Sequence, residues 1–171
     1  MSFTLIAAVD EKGGIGKKGK LPWRLAGDLA FFQKITTGGG RNAVIMGRTT
    51  WESIPVKHRP LIKRLNIVLT RNNEYLLPHE VLRAETFEEG LEKAKKAGAI
   101  FIIGGQQVFA EAIAHRACTT LLITEVAGDF GCDTFFPKFD KTVFRRESSS
   151  EVMEENGIRF QFVKYQKATT K

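Results

Sequence analysis

The sequence predicts an α/β fold: one domain over residues 1–171, with a central mixed β-sheet flanked by helices, mostly parallel and closing in an antiparallel C-terminal hairpin. Three observations predict it. Short apolar runs alternate with helical segments over the first two-thirds of the chain, the pattern of strand–helix–strand units. The early runs are apolar almost throughout, as in strands covered on both faces. The last third changes to period-2 alternation at Ile158-Arg159-Phe160-Gln161-Phe162-Val163-Lys164-Tyr165, after the hairpin pair Asn156-Gly157.

The elements follow in order. Phe3–Val9 is a buried strand, and a glycine-rich loop runs from Asp10 to Leu21. Leu25, Leu29 and Phe32 recur at helical spacing, so 25–36 reads as a helix ended by Gly38-Gly39-Gly40. Asn42–Met46 is a second strand, running into Gly47-Arg48-Thr49-Thr50 and a short helix to Ile54. Asn66–Thr70 is a third strand and Val81–Arg83 a short fourth. Thr86 and Glu89 have capping-box spacing, which starts a helix that Gly98 closes. Ala99–Ile103 is a fifth strand, followed by Gly104-Gly105 and a helix through Ala114. Thr119–Val126, Val143–Arg146 and Ile158–Tyr165 are the remaining strands.

Composition narrows the function. With 43% hydrophobic and 26% charged residues the chain is ordinary for a globular protein. No apolar run approaches the length of a membrane span, and Met1–Ile6 reads as the start of a strand, not a targeting peptide. The net charge is +7, but the basic residues are scattered, so no nucleic-acid or membrane partner is expected. Cys118 and Cys132 form no Cys-x-x-Cys pair, and His58, His79 and His115 lie far apart. No metal is assigned, and a reducing, cytoplasmic setting is expected.

Four segments suit an anionic ligand. Gly14-Ile15-Gly16-Lys17-Lys18-Gly19-Lys20-Leu21 nearly matches a Walker A loop, but Leu21 stands where a metal-binding hydroxyl is required. Gly47-Arg48-Thr49-Thr50 combines a cation, two hydroxyls and a helix start. Ile103-Gly104-Gly105-Gln106-Gln107 allows either close ligand approach or tight packing of strand on helix. Thr70-Arg71 suits a phosphate monoester. Ala8, Gly47, Thr70 and Gly104 all fall near strand ends, where α/β sheets bind ligands. Asp28, set among apolar residues after Pro22-Trp23, is either a helix cap or an acid with a task.

Taken in order, these pieces resemble the dihydrofolate reductase family over nearly the whole chain. The carriers are Ile6-Ala7-Ala8, Gly14-Ile15-Gly16, Leu21-Pro22-Trp23, Asp28 with Phe32, and Val44 to Ile54. Arg59-Pro60-Leu61 with Arg64, Asn66 to Arg71, Ile103-Gly104-Gly105, Thr124 and Asp133-Thr134-Phe135-Phe136-Pro137 follow. The resemblance implies a dihydrofolate reductase-like fold, reduction of 7,8-dihydrofolate to tetrahydrofolate by hydride from NADPH, a role in one-carbon metabolism and binding of antifolate inhibitors. A monomer is expected.

By the same resemblance, Asp28 pairs with the pterin and supports protonation at N5, directly or through an ordered water near Trp23, and Thr124 bonds that carboxylate. Ile6 and Ile103 offer backbone carbonyls, and Ala7 adjoins the same pocket. Leu29, Phe32, Ile54 and Leu61 line the apolar slot, while Arg64 holds the α-carboxylate of the glutamate tail. For NADPH, Ala8 and the loop Gly14, Ile15, Gly16, Lys17, Lys18, Gly19 and Lys20 flank the nicotinamide. Gly47, Arg48, Thr49 and Thr50 take phosphates, and Leu69, Thr70 and Arg71 form the 2′-phosphate site. Ile103, Gly104, Gly105, Gln106, Gln107, Val108 and Phe109 cradle the pyrophosphate and ribose. The acid is Asp, as in bacterial-type members, and Phe109 replaces a frequent Tyr. A related reductase of riboflavin synthesis would lack the Asp28 context and the Arg64 clamp. A non-catalytic binding protein would lack Asp28 or the loop before it. The chain is too short to carry a fused thymidylate synthase.

Overall fold

Strand β1 (Phe3–Val9) lies inside a nine-stranded sheet of a computed structural model that describes residues 1–169. The chain continues through β2 (Gly14–Gly16), α1 (Ala26–Thr37), β3 (Ala43–Gly47), α2 (Arg48–Ser53) and a 3-10 turn at Val56–His58. Next come β4 (Leu65–Leu69), β5 (Leu82–Ala84), α3 (Phe87–Ala94), β6 (Ile100–Gly104) and α4 (Gln106–Ala114). The C-terminal part holds β7 (Cys118–Val126), β8 (Thr134–Phe135), β9 (Phe144–Ser149), β10 (Met153–Glu155) and β11 (Ile158–Lys167).

The sheet order is β10-β11-β7-β1-β6-β3-β4-β5, with β9 also on β11. From β7 to β5 every pair is parallel, and β11 is antiparallel to β7, β9 and β10. This is the mixed sheet the sequence predicts. Asn156 and Gly157 both take positive φ, 53° and 74°, as the tight β10–β11 turn requires.

Alternate residues of the parallel strands feed two cores. Ile45, Ile67 and Ile102 pack with Phe87, Leu91 and Phe109 of α3 and α4 on one face. Val44, Met46, Val68 and Phe101 face the other side, against Phe31, Phe32 and Ile35 of α1. Helices on both faces explain why the strand sequences are apolar at every position.

Pairing of β1 with β6 is confined to Thr4↔Phe101 and Leu5↔Ile102. On its other edge β6 shifts register, from Ile45↔Ile102 to Met46↔Gly104, so Ile103 is an extra residue. Such a bulge redirects a strand. The ends of β1 and β6 therefore splay apart, and the gap between them is the floor of a cleft.

Three sequence expectations are corrected. The glycine-rich loop contains β2, which pairs with β8, and no helix follows it until Ala26, so the Walker A geometry is absent. Thr86 caps α3 as expected, its Oγ1 accepting from Glu89 N–H at 3.1 Å while Glu89 Oε2 accepts from Glu85 N–H at 2.7 Å, but α3 ends at Ala94, short of the expected stop at Gly98. Asp28 does not cap α1. The N-cap is Leu25, and the N–H groups of Ala26 and Gly27 donate instead to the Glu155 carboxylate.

Buried Asn66 fixes the 59–64 loop beside the cleft. It accepts from Leu61 N–H and donates to the carbonyls of Leu61 and Arg64, each at 2.9 Å. Asn66→Ala is expected to cost about 2–4 kcal/mol in urea denaturation, because it strands buried backbone groups.

Candidate active site

A cleft of about 1740 Å³ opens at the carboxyl ends of the parallel strands. A pocket for one drug-sized molecule is roughly 300–1,000 Å³, so this one has room for two ligands side by side. Its wall takes Ile6, Ala7 and Ala8 from β1, Gly47 from β3, Leu69 and Thr70 from the end of β4, Ile103 and Gly104 from β6, and Thr124 from β7. Five separate strands thus converge on one space.

One limb of the cleft is apolar. Ile6, Leu29, Phe31, Phe32, Ile54, Leu61 and Ile103 line it, and Phe31 is stacked on Phe162 with ring centroids 4.0 Å apart. Leu29 is half exposed because its side chain forms cleft wall, not core. Asp28 stands in this limb. Its Oδ1 accepts from Thr124 Oγ1 at 2.6 Å, and Thr124 is itself buried, paired in register with Ala8 and Phe162. Burial pushes the Asp28 carboxyl above the usual carboxylate range, and the Thr124 hydroxyl only partly offsets this.

At the mouth of the apolar limb sits Arg64. Its Nε donates to Ile62 O and its Nη1 to Thr36 Oγ1, both at 2.9 Å. Thr36 is fully buried and donates to Phe32 O at 2.7 Å, so the clamp is tied to α1. Burial lowers the Arg64 pKa. No carboxylate among the described residues pairs with it, which leaves a partly desolvated cation facing the cleft.

The other limb is polar and glycine-rich. Gly47 and Gly104-Gly105 lead into the first turns of α2 and α4, and those turns line the cleft. A Cβ on Gly104, whose φ is 139°, would lie 2.8 Å from Thr50 Oγ1, and one on Gly47 would lie 3.2 Å from Val108 Cγ2. Small residues are therefore required for the two strand ends to pack side by side. Arg48, Thr49, Thr50, Thr70, Arg71, Gln106, Gln107, Val108 and Phe109 complete this limb. Arg48 is bonded to Glu52 at 2.8 Å and lies 4.3 Å from the Tyr75 ring centre, whereas Arg71 is exposed and unpaired among the described residues.

The loop after β1 is latched to the segment 129–136. Burial would raise the pKa of Asp10, but the N–H groups of Phe130, Gly14 and Lys12 hold it below the usual value. Lys18 N–H donates to Asp133 Oδ2 at 2.9 Å, and Phe135 N–H donates to Gln106 Oε1 at 2.7 Å. Ile15, Gly16, Gly19 and Lys20 reach the cleft wall; Gly14, Lys17, Lys18 and Trp23 lie outside it. Trp23 packs edge-on to Phe130, and its indole N–H is buried without an acceptor among the described residues. All other residues assigned from the sequence to substrate, cofactor or catalysis line the cleft. Arg24, Phe31, Lys57 and His58 also line it and were not anticipated. The spacing of Phe31 before Phe32 carried the only usable signal; the others have no pattern that separates them from ordinary surface residues.

Among the described residues no cluster of His, Cys, Asp or Glu could hold a metal, and no helix is long and apolar enough to cross a membrane.

Fold and site together define a class: an α/β protein whose strand-end cleft joins a polar, glycine-lined limb to an apolar limb holding a single carboxyl. The dihydrofolate reductase family model matches residues 2–167, and the chain belongs to that family. It is 40% identical to a dihydrofolate reductase of Aedes albopictus, over 96% of this chain and 97% of that protein. It is 41% identical to one of Drosophila melanogaster, over 95% and 96%. The Schistosoma mansoni dihydrofolate reductase structure superposes with a TM-score of 0.86 at 32% identity, covering 98% of this chain and 99% of that one. The bifunctional dihydrofolate reductase-thymidylate synthase of Glycine max is 40% identical over 96% of this chain, which spans 33% of that protein's length.

An acid whose folded pKa is raised resists ionising only when folded. Asp28 therefore costs stability above its folded pKa, and this cost is absent below the unfolded value near 4. Asp28→Asn, which keeps an acceptor for Thr124, is expected to be more stable than the parent by about 1 kcal/mol at pH 7, with no difference at about pH 3. Urea melts at both pH values check this.

Proposed function

We propose that this protein reduces 7,8-dihydrofolate to tetrahydrofolate with NADPH, as a monomer serving one-carbon metabolism in the cytoplasm. The observation that carries the reading is Asp28: one carboxyl, raised in pKa, held by Thr124 in an otherwise apolar limb that adjoins a polar, glycine-lined one. The chain's membership of the dihydrofolate reductase family supports it.

The residues present fit the dinucleotide. Gly104 and Gly105 leave no side chain over the first turn of α4, whose leading N–H groups lack helical acceptors. Gly47, Arg48, Thr49, Thr50 and the segment Gly104 to Phe109 would hold the phosphates and ribose, and Leu69, Thr70 and Arg71 the 2′-phosphate. Ala8, Ile15, Gly16, Gly19 and Lys20 would flank the nicotinamide, with Gly14, Lys17 and Lys18 supporting that loop from outside. NADPH, when bound, supplies the hydride.

The chain's own residues do the rest. Leu29, Phe32, Ile54 and Leu61 grip the pterin and the ring that follows it, while Ile6, Ala7 and Ile103 present backbone at its edge. Arg64, already oriented by Ile62 and Thr36, binds the tail carboxylate. Asp28 hydrogen-bonds the pterin and supports protonation at N5, and Thr124 keeps its carboxyl facing the ring. The unpartnered Trp23 indole N–H suits a water that relays the proton. Because the acid form is the useful one, turnover falls as pH rises through the Asp28 pKa.

Purified protein is expected to oxidise NADPH, followed by absorbance, only when dihydrofolate is present; no turnover with both substrates would refute the reading. Asp28→Asn should retain cofactor affinity and lose most turnover at neutral pH, and a wild-type rate would remove Asp28 from the chemistry. Arg71→Ala should raise KM for NADPH about tenfold or more, a charge-assisted contact being worth roughly 1.5–3 kcal/mol, with little change for NADH. Equal effects on the two cofactors would displace the 2′-phosphate site.

A further inference from the structure

Helix α1 carries Asp28 in its first turn, yet that turn has no cap of its own, since Leu25 offers no side-chain acceptor. One side chain from far along the chain serves instead. Glu155 Oε2 accepts from Ala26 N–H at 2.6 Å and Glu155 Oε1 accepts from Gly27 N–H at 3.0 Å. Glu155 ends β10 at the tip of the C-terminal hairpin, and the next residue, Asn156, donates its side-chain N–H to Arg24 O at 3.4 Å. The hairpin is seated closely: a Cβ on Gly27 would lie 3.3 Å from Phe160 Cζ and 3.5 Å from Glu155 Oε1. Glu155 is half-buried and makes no ion pair among the described residues.

We propose that Glu155 is a positioning residue for Asp28: its carboxylate, forked over the Ala26 and Gly27 N–H groups, fixes the first turn of α1 so that Asp28 meets Thr124, and it neutralises the positive helix end beside that acid. The proposal rests on the reading of Asp28 as the pterin-facing acid. An uncompensated helix N-terminus attracts negative charge. Without Glu155 the first-turn carboxylate left to answer it is Asp28 itself, which would be drawn toward ionisation. Of the charged residues lining the cleft, Lys20 lies in the loop, Arg24 just before α1, and Arg64, bonded to Thr36, at the far end of α1, while Glu155 reaches the first turn of α1 from β10. β1 and β11 contribute the uncharged Ile6, Ala7 and Phe162, and β7 contributes the Thr124 hydroxyl. Among the described residues Glu155 is the one carboxylate bonded to the leading N–H groups of α1.

The test is the pH dependence of kcat for dihydrofolate reduction in Glu155→Gln, which keeps size and one acceptor but removes the charge. The high-pH fall in kcat is expected to move to lower pH by about 0.5 unit, with kcat at pH 7.5 down about threefold and KM for NADPH unchanged. Glu155→Asp, still charged but too short to span both N–H groups, should shift the fall in the same direction by less. A structural cap alone would lower the thermal midpoint without moving the position of the fall. An unshifted profile in either folded variant overturns the proposal, so a failure of the Gln variant to fold leaves the Asp variant to decide. Absence of dihydrofolate-dependent turnover in the unmodified protein would instead defeat the functional reading on which it rests.

Discussion

Thr124 Oγ1 and Asp28 Oδ1, 2.6 Å apart, join the middle of the sheet to the first turn of α1, and the rest of the cleft is arranged around that contact. A carboxyl among Ile6, Phe31 and Phe32 is costly to ionise. It is tolerated because Thr124 supplies a donor and because the cleft leaves one edge of the acid accessible. β7 brings Thr124 to the site through its parallel pairing with β1, and β11 covers the far side with Phe162. A slip of β7 by one residue would turn Thr124 to the opposite face and leave Asp28 without its donor.

The cleft exists because β1 and β6 stop pairing after Leu5 and Ile102. The extra residue Ile103 and the side-chain-free stretch Gly104-Gly105 turn β6 away from β1 and into α4. On one side of the resulting gap, α1 and the Asn66-braced loop present apolar residues and Arg64. On the other, two glycine-led helix starts present backbone. Arg64 illustrates the economy of the arrangement: the hydroxyl of Thr36 that orients it is itself bonded back to Phe32 in the apolar limb. A shift of the apolar wall is thereby coupled to the Arg64 guanidinium.

Legibility in the sequence followed the range of the interaction. Strands such as Ala43–Gly47 and Ile100–Gly104 are apolar at nearly every position because both faces are covered, and the Asn156-Gly157 turn obeys a local rule; both were readable. β2 and β8 were not, since Gly14–Gly16 has no side-chain pattern and pairs only through backbone with Thr134 and Phe135. Asp28 was readable as a candidate but its cap role was not tenable: a first-turn Asp usually serves N–H groups, and here Thr124, distant in sequence, wins it. The actual cap, Glu155, looks like any charged residue beside a hairpin. Asn66 likewise reads as the polar first residue of a strand, and only the fold shows its amide bonded to the loop that carries Leu61 and Arg64.

The most direct measurement of the central claim is a carbon-detected NMR titration of the Asp28 side-chain carboxyl in the protein without ligands. The expected midpoint lies above the usual aspartate value near 4, and Thr124→Val should raise it further by removing the donor that favours the charged form. A midpoint at or below the ordinary value, or one that ignores Thr124→Val, would contradict the assignment of Asp28 as the buried acid on which the site is built.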